Sequence, residues 1–422
     1  MKEIYATLDI GSTTLKLVVA EVISANVNIL FSSKVTSHGV RRGIITDADA
    51  LVEDIKNIVR EADEELNTTI TSVGLVLPSI NARIYQGDGI TKVNNANDKI
   101  VIDDVVLALK ISTRFQRNRD EEIVSTIPIH YALDTKSTNQ IPLGMRSASL
   151  KVDSMIVTSK KKFFYGYLEA VEKAGLELLD VTIDAYASAL EAFDEAYLKE
   201  GAILIDIGCY SSTVSFYEDG YLKYIAQANT GGYELTKAIS EKWWISMDKA
   251  ERYKIKYGTC EKNVGDDDII HSNKVDNEIV SYTQQDLSDV LREAVENMME
   301  EIKTKIDVIN DGRSYETVIV GGGGELPSLD VVASGVLNAP VRCYRPETIG
   351  VRDMSYVPAL GLLYYLNDRK EFLGEDHVSL TLPDISSTMN IRLKGFTKAK
   401  DESKMPKKRL KRVLENFFSD DE

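Results

Sequence analysis

The amino-acid sequence predicts an α/β protein made of two similar lobes that face each other. Strand-like and helix-like segments alternate along the chain, the pattern of sheets covered by helices. A short strand–turn–strand unit occurs twice, once at the start and once near the middle. The length, 422 residues, accommodates two or three domains of ordinary size.

Ile4–Ile10 and Lys16–Val22 are apolar and β-branched, predicted as strands joined by a turn at Gly11, Ser12, Thr13 and Thr14. Over 48–66, Leu51, Val52, Ile55, Ile58, Val59 and Ala62 recur at helical spacing and predict a helix with one buried face. Val73–Leu77 reads as a buried strand. Between Arg83 and Ser159 the character changes: a helix-like stretch at 101–114 stands among several short strands with polar turns, which predicts a small inserted subdomain. The opening unit returns as a strand over Ile203–Ile207, a turn over 208–212, a strand over Thr213–Tyr217 and a hairpin turn at Asp219-Gly220. Both copies read apolar strand, Asp-Ile-Gly, hydroxyl residues, strand, and this duplication predicts the two lobes. After Leu373 the pattern weakens, and 374–404 reads as a final strand or two followed by a flexible linker.

Composition narrows the function classes. A net charge of −16 argues against a nucleic-acid partner. The three cysteines, Cys209, Cys260 and Cys343, are scattered, with no CxxC and no paired histidines, which argues against a structural zinc site and for a reducing compartment. The first residues run straight into a strand without a basic and apolar leader, so no secretory signal is expected. No apolar run approaches the ~20 residues of a membrane-spanning helix, and a cytoplasmic protein is expected.

Asp-x-Gly followed by hydroxyl residues at a hairpin suits a phosphate chain. Glycine lets the backbone approach closely, and the N–H groups of the turn point at phosphate oxygens. Ser12 and Thr13 add hydroxyl donors, Lys16 a compact positive charge, and Gly208, Ser211 and Ser212 the matching groups in the second copy. Asp9 and Asp206 repel phosphate and suit the water shell of Mg²⁺ instead; Asp206 also suits orienting an attacking water. A single such loop is equally well an ordinary tight hairpin, and the matching pair favours the phosphate reading. The run Gly321-Gly322-Gly323-Gly324 after the strand Glu316–Val320 permits flat backbone approach, here to an adenosine, and a helix is expected after Pro327. Gly231-Gly232, before a helix starting near Tyr233, present helix N–H groups to a terminal phosphate. Asp184, Trp243, Trp244 and the histidines carry no motif.

The C-terminal stretch is a second signal. From Pro406, the residues Leu410, Val413, Leu414, Phe417 and Phe418 follow i, i+3, i+4, i+7, i+8 and predict one apolar helix face. Lys407, Lys408, Arg409, Lys411 and Arg412 supply a basic face, the composition of an interfacial membrane helix drawn to anionic lipids. A core helix or a solvated tail is the plainer alternative.

These loops resemble those of the superfamily of actin, sugar kinases and DnaK-type chaperones, and nearly the whole chain resembles the FtsA family of bacterial cell-division proteins. The stretch from His38 to Ile45 (HGVRRGII), the insert's Ile127–Asp134 (IPIHYALD) and Ile141–Met145 (IPLGM), and the linker with its terminal helix carry the resemblance. It implies an actin-like two-lobed fold of duplicated ribonuclease H-like domains. Subdomain IA is then 1–83 with 159–192, the FtsA-type insert IC 84–158, IIA 193–240 with 304–373, IIB 241–303, the linker 374–404 and the membrane helix 405–422. Glu251 and Lys254 match positions that contact adenosine or ribose in the superfamily. By resemblance the protein binds ATP with Mg²⁺, self-associates into filaments on the inner membrane surface at the division site, and recruits the FtsZ C-terminal peptide through IIB.

The sequence also departs from the family. Cys209 and Tyr210 stand where relatives are glycine-rich, and the tyrosine must turn away or narrow the site, so at most a slow ATPase is expected. An arginine common in relatives falls at Ala294, with Arg292 two residues earlier and about 200° away around a helix. Leu77-Pro78-Ser79 replaces the usual Ser-Gly pair. Two alternatives remain: a PilM-like pilus-assembly adaptor, which shares the core and an IC-like insert, and a small-molecule kinase, for which no general base beside a substrate pocket is evident.

Overall fold

A computed structural model describes residues 4–373 except 24–25, 95–96, 265–268, 276–277 and 310, together with Ser379. The linker and the terminal helix expected over 374–422 otherwise lie outside the described residues. Among the described residues, no helix is long and apolar enough to cross a membrane.

The chain begins with strands β1 (Ile4–Ile10), β2 (Thr14–Ile23) and β3 (Asn26–Thr36), the short pair β4 (Val40–Arg41) and β5 (Ile44–Ile45), helix α1 (Ala48–Leu66) and strand β6 (Ser72–Leu77). The insert holds β7 (Arg83–Lys92), α2 (Ile102–Ser112), β8 (Glu121–Leu133), β9 (Ser137–Thr138) and β10 (Ser149–Lys160). Then come α3 (Lys161–Lys173), β11 (Glu177–Ile183), α4 (Asp184–Ala192) and α5 (Glu195–Glu200). The second half runs β12 (Ala202–Ile207), β13 (Ser212–Glu218), β14 (Tyr221–Ala228), α6 (Gly232–Trp243), α7 (Met247–Tyr257), β15 (Ile269–Val275), β16 (Glu278–Thr283), α8 (Gln284–Ile306), β17 (Glu316–Val320), α9 (Leu329–Leu337), β18 (Val341–Cys343) and α10 (Val357–Leu373).

Two compact units result: one of residues up to Leu190, Thr348–Gly350 and from Pro358 onward, the other of Glu191–Glu347 and Val351–Val357. Their main sheets have one plan. The first unit is ordered β11-β6-β1-β2-β3 and the second β18-β17-β12-β13-β14. In each, an antiparallel three-strand meander carries two parallel strands on its first member. The duplicated Asp-Ile-Gly unit is therefore the first hairpin of two sheets with equivalent strand order. β1 and β6 are buried along their whole length, as central strands with both faces covered must be.

Local chemistry sets the element ends. Asp47 caps α1 by accepting from Ala50 N–H at 3.0 Å, and Asn67 closes it in the left-handed region at φ 50°. Asp219 and Gly220, at φ 56° and 77°, form the tight turn between β13 and β14.

Within the first unit the insert forms its own sheet, ordered β7-β10-β8-β9, with α2 packed on β7 and β10. Its separate core includes Val105, Leu109, Tyr131, Leu150 and Val152. The strands expected there as short are long: β8 has 13 residues and β10 has 12. Pro128 sits inside β8, where a register shift between Asp153 and Ser154 accommodates it, with Pro128 opposite Ser154 and His130 opposite Asp153.

A second difference concerns 304–373, expected in the second lobe. From Pro358 on, this segment packs in the first unit. The bare Cα of Gly74 on β6 admits Leu362 and Leu366 of α10, and Thr7 of β1 donates its hydroxyl to Ala359 O at 3.0 Å. The buried Arg369 guanidinium pairs with Asp180 of β11 at 2.5 Å and donates to Thr126 O at 2.9 Å. Ser379 lies beside the start of β1: its N–H donates to Ile4 O at 2.8 Å and its hydroxyl oxygen accepts from Ala6 N–H at 2.6 Å.

Candidate functional site

In the first unit, β1 and β2 place Asp9 directly opposite Lys16, so both side chains share a face. Lys16 Nζ donates to Asp9 Oδ2 at 2.8 Å, and the two side chains are only 7 % and 11 % exposed. The predicted phosphate cation thus already neutralises the predicted metal carboxylate. The turn closes through Gly11 N–H to Thr14 O at 3.0 Å, leaving Gly11, Ser12 and Thr13 half-buried at its tip. Ser12 Oγ accepts from Gly43 N–H at 2.8 Å, and Tyr167 donates to Gly43 O at 2.9 Å. The turn is thereby braced on the loop between β4 and β5.

Asp184, which carries no sequence motif, belongs to the same neighbourhood. It begins α4 directly after β11; its Oδ1 accepts from Ser79 N–H at 3.1 Å and from Ala185 N–H at 2.6 Å, and it contacts the Ser79 hydroxyl. Burial pushes its carboxyl up to about 6 against these hydrogen bonds, and the nearby Asp9 charge adds to the rise. Burial, with Asp9 and Asp184 adding, also raises the Tyr167 phenol. Only its place at a strand-to-helix junction marks Asp184 in the sequence, since Ser79 lies far away along the chain.

This shift has a stability consequence. The folded state keeps the Asp184 proton up to about pH 6, whereas the unfolded chain releases it near the ordinary aspartate value of 3.8. Between those values the folded state binds more protons, so stability falls as pH rises, and the cost is complete above about 6. Asp184→Asn removes it. Relative to wild type, the variant is expected to gain about 1–2 kcal/mol between pH 4 and pH 7.5 in urea denaturation. An unchanged difference across that range would count against the assignment.

In the second unit, Asp206 occupies the position of Asp9, but its cross-strand neighbour is Thr213, not lysine. The turn closes through Gly208 N–H to Ser211 O at 3.0 Å. Its carbonyls then cap α6: Gly208 O accepts from Gly232 N–H at 3.0 Å and Cys209 O from Tyr233 N–H at 2.8 Å. These two N–H groups, expected to face a terminal phosphate, are satisfied within the chain. Ser212 is buried, and its hydroxyl donates to Thr230 O at 2.8 Å. Tyr210 packs its ring on Tyr233, centroids 5.2 Å apart, which turns it toward α6.

The third glycine run closes on the same place. Gly321, at φ 86° and ψ 156°, has a backbone conformation that side-chain-bearing residues avoid, and a Cβ there would overlap Asp206 Oδ1. A Cβ on Gly323 would lie 3.1 Å from Gly208 O, and one on Gly232 3.8 Å from both Gly208 O and Gly323 Cα. Gly322–Glu325 form a 3₁₀ turn rather than a flat loop, locked where Glu325 accepts from Met354 N–H at 2.6 Å. Glu251 and Lys254 sit on α7 beside this cluster and pair at 2.8 Å. Asp206, Gly208, Gly231, Gly232, Gly321, Gly322, Gly323, Glu251 and Lys254 are thus brought together.

Arg292 points the other way on α8, donating to Cys260 O at 2.9 Å and facing Glu296 at 3.6 Å. Among the described residues, no group of three or more histidine, cysteine, aspartate or glutamate side chains forms a metal cage. A hydrated Mg²⁺ ion needs only one or two carboxylates and no such cage.

The family model of "Cell division protein FtsA" matches residues 203–361, and that of "Type IV pilus assembly protein PilM" matches residues 7–265. The cell division protein FtsA of Bacillus subtilis is 27 % identical over 366 residues, covering 86 % of this chain and 83 % of its own. That of Enterococcus faecalis is 28 % identical over 373 residues, covering 86 % and 84 %. Among solved structures, the PilM–PilN type IV pilus biogenesis complex superposes with a TM-score of 0.58 at 16 % identity, covering 86 % of this chain and 98 % of that one. MreB5 of Spiroplasma citri bound to ADP gives 0.52 at 12 % identity, covering 87 % and 98 %. At these identities the superpositions speak to the fold, which is actin-like.

Proposed function

We propose that the chain, which belongs to the family of the type IV pilus assembly protein PilM and is similar to FtsA proteins over most of its length, is a cell-division protein that binds ATP and tethers FtsZ filaments to the membrane. The observation that carries the ATP reading is the convergence of three glycine segments on Asp206 in the second unit, beside Glu251. In this reading Gly208, Ser211 and the 321–324 run take the nucleotide, and Gly11, Ser12, Thr13 and Lys16 serve its phosphates. Asp206 and Asp9 take the water shell of Mg²⁺, the ion that screens phosphate charge when bound. Two features favour a nucleotide-controlled assembly switch over a fast ATPase: the α6 N–H groups are already capped, and Cys209-Tyr210 replace glycine.

The membrane role rests on the sequence of 405–422, where each basic residue near an anionic surface contributes about 1 kcal/mol. Deleting Met405–Glu422 is expected to abolish sedimentation with anionic liposomes and to leave Mg-ATP binding unchanged. Undiminished sedimentation would sink the tether. Filaments on an anionic lipid monolayer with Mg-ATP, seen by electron microscopy, test self-association. A pilus-assembly adaptor is the second reading, favoured by the PilM match over residues 7–265. Capture by an FtsZ C-terminal peptide supports the first reading, and capture by a pilus-protein N-terminal peptide supports the second.

A further inference from the structure

We propose that Arg292 is a positioning residue for the nucleotide site: from α8 it holds, through Cys260, the end of the glycine run that seats the adenosine. This deepens the nucleotide reading above and rests on it. Three polar side chains stand four residues apart on α8 and so form one stripe along it. Gln284 Nε2 donates to Tyr257 O at 3.1 Å, Ser288 Oγ to Glu261 O at 2.6 Å and Arg292 Nη1 to Cys260 O at 2.9 Å. Those carbonyls belong to the last residue of α7 and to the segment after it, which is thereby strapped to α8. The stripe is turned inward: Ser288 is fully buried, and the Arg292 side chain is 17 % exposed. A buried hydrogen bond adds little net stability over apolar packing. What such a ladder adds is a fixed position.

Position matters here because the strap also grips the glycine run. Cys260 is buried, and its N–H donates to Pro327 O at 2.8 Å. One residue thus holds the run with its N–H and Arg292 with its carbonyl. Directly after Pro327, Ser328 stands in the left-handed region at φ 61°, a conformation that persists where the surroundings hold it. A second contact runs alongside. A Cβ on Gly258 would lie 3.0 Å from Leu326 Cδ1 and 3.1 Å from Leu291 Cδ1, so a side chain following the run and one of α8 close on the same bare Cα. The run is fixed at its start by β17 and by the fit of Gly321 against Asp206. Its far end depends on Cys260. Without the guanidinium, a buried carbonyl loses its donor and the residue that carries it is drawn out of place.

The test is calorimetric titration of the full chain with Mg-ATP and with ADP, beside hydrogen exchange at the Cys260 amide. Arg292→Met is expected to weaken both nucleotides by one common factor of roughly fivefold or more, the scale of a hydrogen bond whose donor is charged. It is also expected to speed exchange at Cys260. Arg292→Lys keeps a charged donor and recovers most of the affinity. Lys303→Met is the comparison, because Lys303 Nζ on the same helix donates to Val336 O of α9 at 2.9 Å and does not touch the strap. Its affinity and its Cys260 exchange stay as in wild type. Ser288→Ala loosens the same strap by a smaller factor and serves if Arg292→Met does not fold. Wild-type affinity in a folded Arg292→Met would overturn the inference, as would a loss for Mg-ATP alone, which places the effect at the phosphates. An equal loss in Lys303→Met, or weaker binding without faster Cys260 exchange, would overturn it too. A wild type that binds no adenine nucleotide would instead remove the functional reading beneath it.

Discussion

Gly321→Ala is expected to abolish nucleotide binding and to lower stability by about 3 kcal/mol or more. Two independent costs act at this position. The backbone there, at φ 86° and ψ 156°, lies in a region open essentially to glycine alone, and a side chain forced into it costs ~1–3 kcal/mol. The new methyl group would also overlap Asp206 Oδ1 and come within 2.7 Å of Ile207 O. Neither neighbour can yield cheaply. Ile207 is a paired strand residue at the end of β12, and Asp206 is held between Thr213 on one side and Val320 on the other in the sheet register. Relaxation must push β12 away from β17, at the point where Gly208 and Gly323 approach each other. Gly335→Ala is the control. It lies inside α9, where an added Cβ meets nothing within 4 Å. Alanine there is expected to stabilise by about 0.5–1 kcal/mol. Urea denaturation and ATP titration of both variants decide the matter, and wild-type binding by Gly321→Ala would refute the account.

How much of this was legible in the sequence depended on how local each feature is. The strand, Asp-Ile-Gly and strand pattern is contiguous, so both hairpins and the helix at 48–66 are readable from neighbouring residues alone. The equivalent sheet orders then follow from repeating that unit. Features built from distant residues were not readable. The Ser79–Asp184 pair joins the end of β6 to the start of α4, and nothing in either segment names the other. Arg369 reads as a charge on a terminal helix until Asp180 and Thr126 surround it, so nothing local in the sequence ties α10 to the strands it packs on. In the insert Pro128 lies within a continuous strand, and only the partner strand's register shift shows how β8 accommodates it. The capping of α6 by Gly208 and Cys209 was hidden for a different reason. Glycine pairs before a helix signal free N–H groups, and the sequence does not say which carbonyls come to meet them.

Lys16 separates structural from functional demand more sharply than any other residue of the first unit. Lys16→Met strands the Asp9 carboxylate, 11 % exposed, without its partner at 2.8 Å. Breaking a buried pair from one side is expected to cost about 3–5 kcal/mol in chemical denaturation. Adding Asp9→Asn removes the stranded charge, and the double variant is expected to return to within about 1 kcal/mol of wild type, because replacing a whole buried pair is often neutral. Nucleotide binding follows a different pattern if Lys16 serves phosphate. Asp9→Asn alone leaves the ammonium without its neutralising carboxylate, so Mg-free ATP binds at least as tightly as to wild type while the dependence on Mg²⁺ weakens. Lys16→Met loses affinity, and the double variant stays weak although its stability has recovered. If the double variant binds ATP like wild type, Lys16 exists for Asp9 alone and the first loop makes no contact with phosphate through it. Stability and affinity must be measured on the same three variants, because only their divergence separates a cation that holds the hairpin together from one that also meets the ligand.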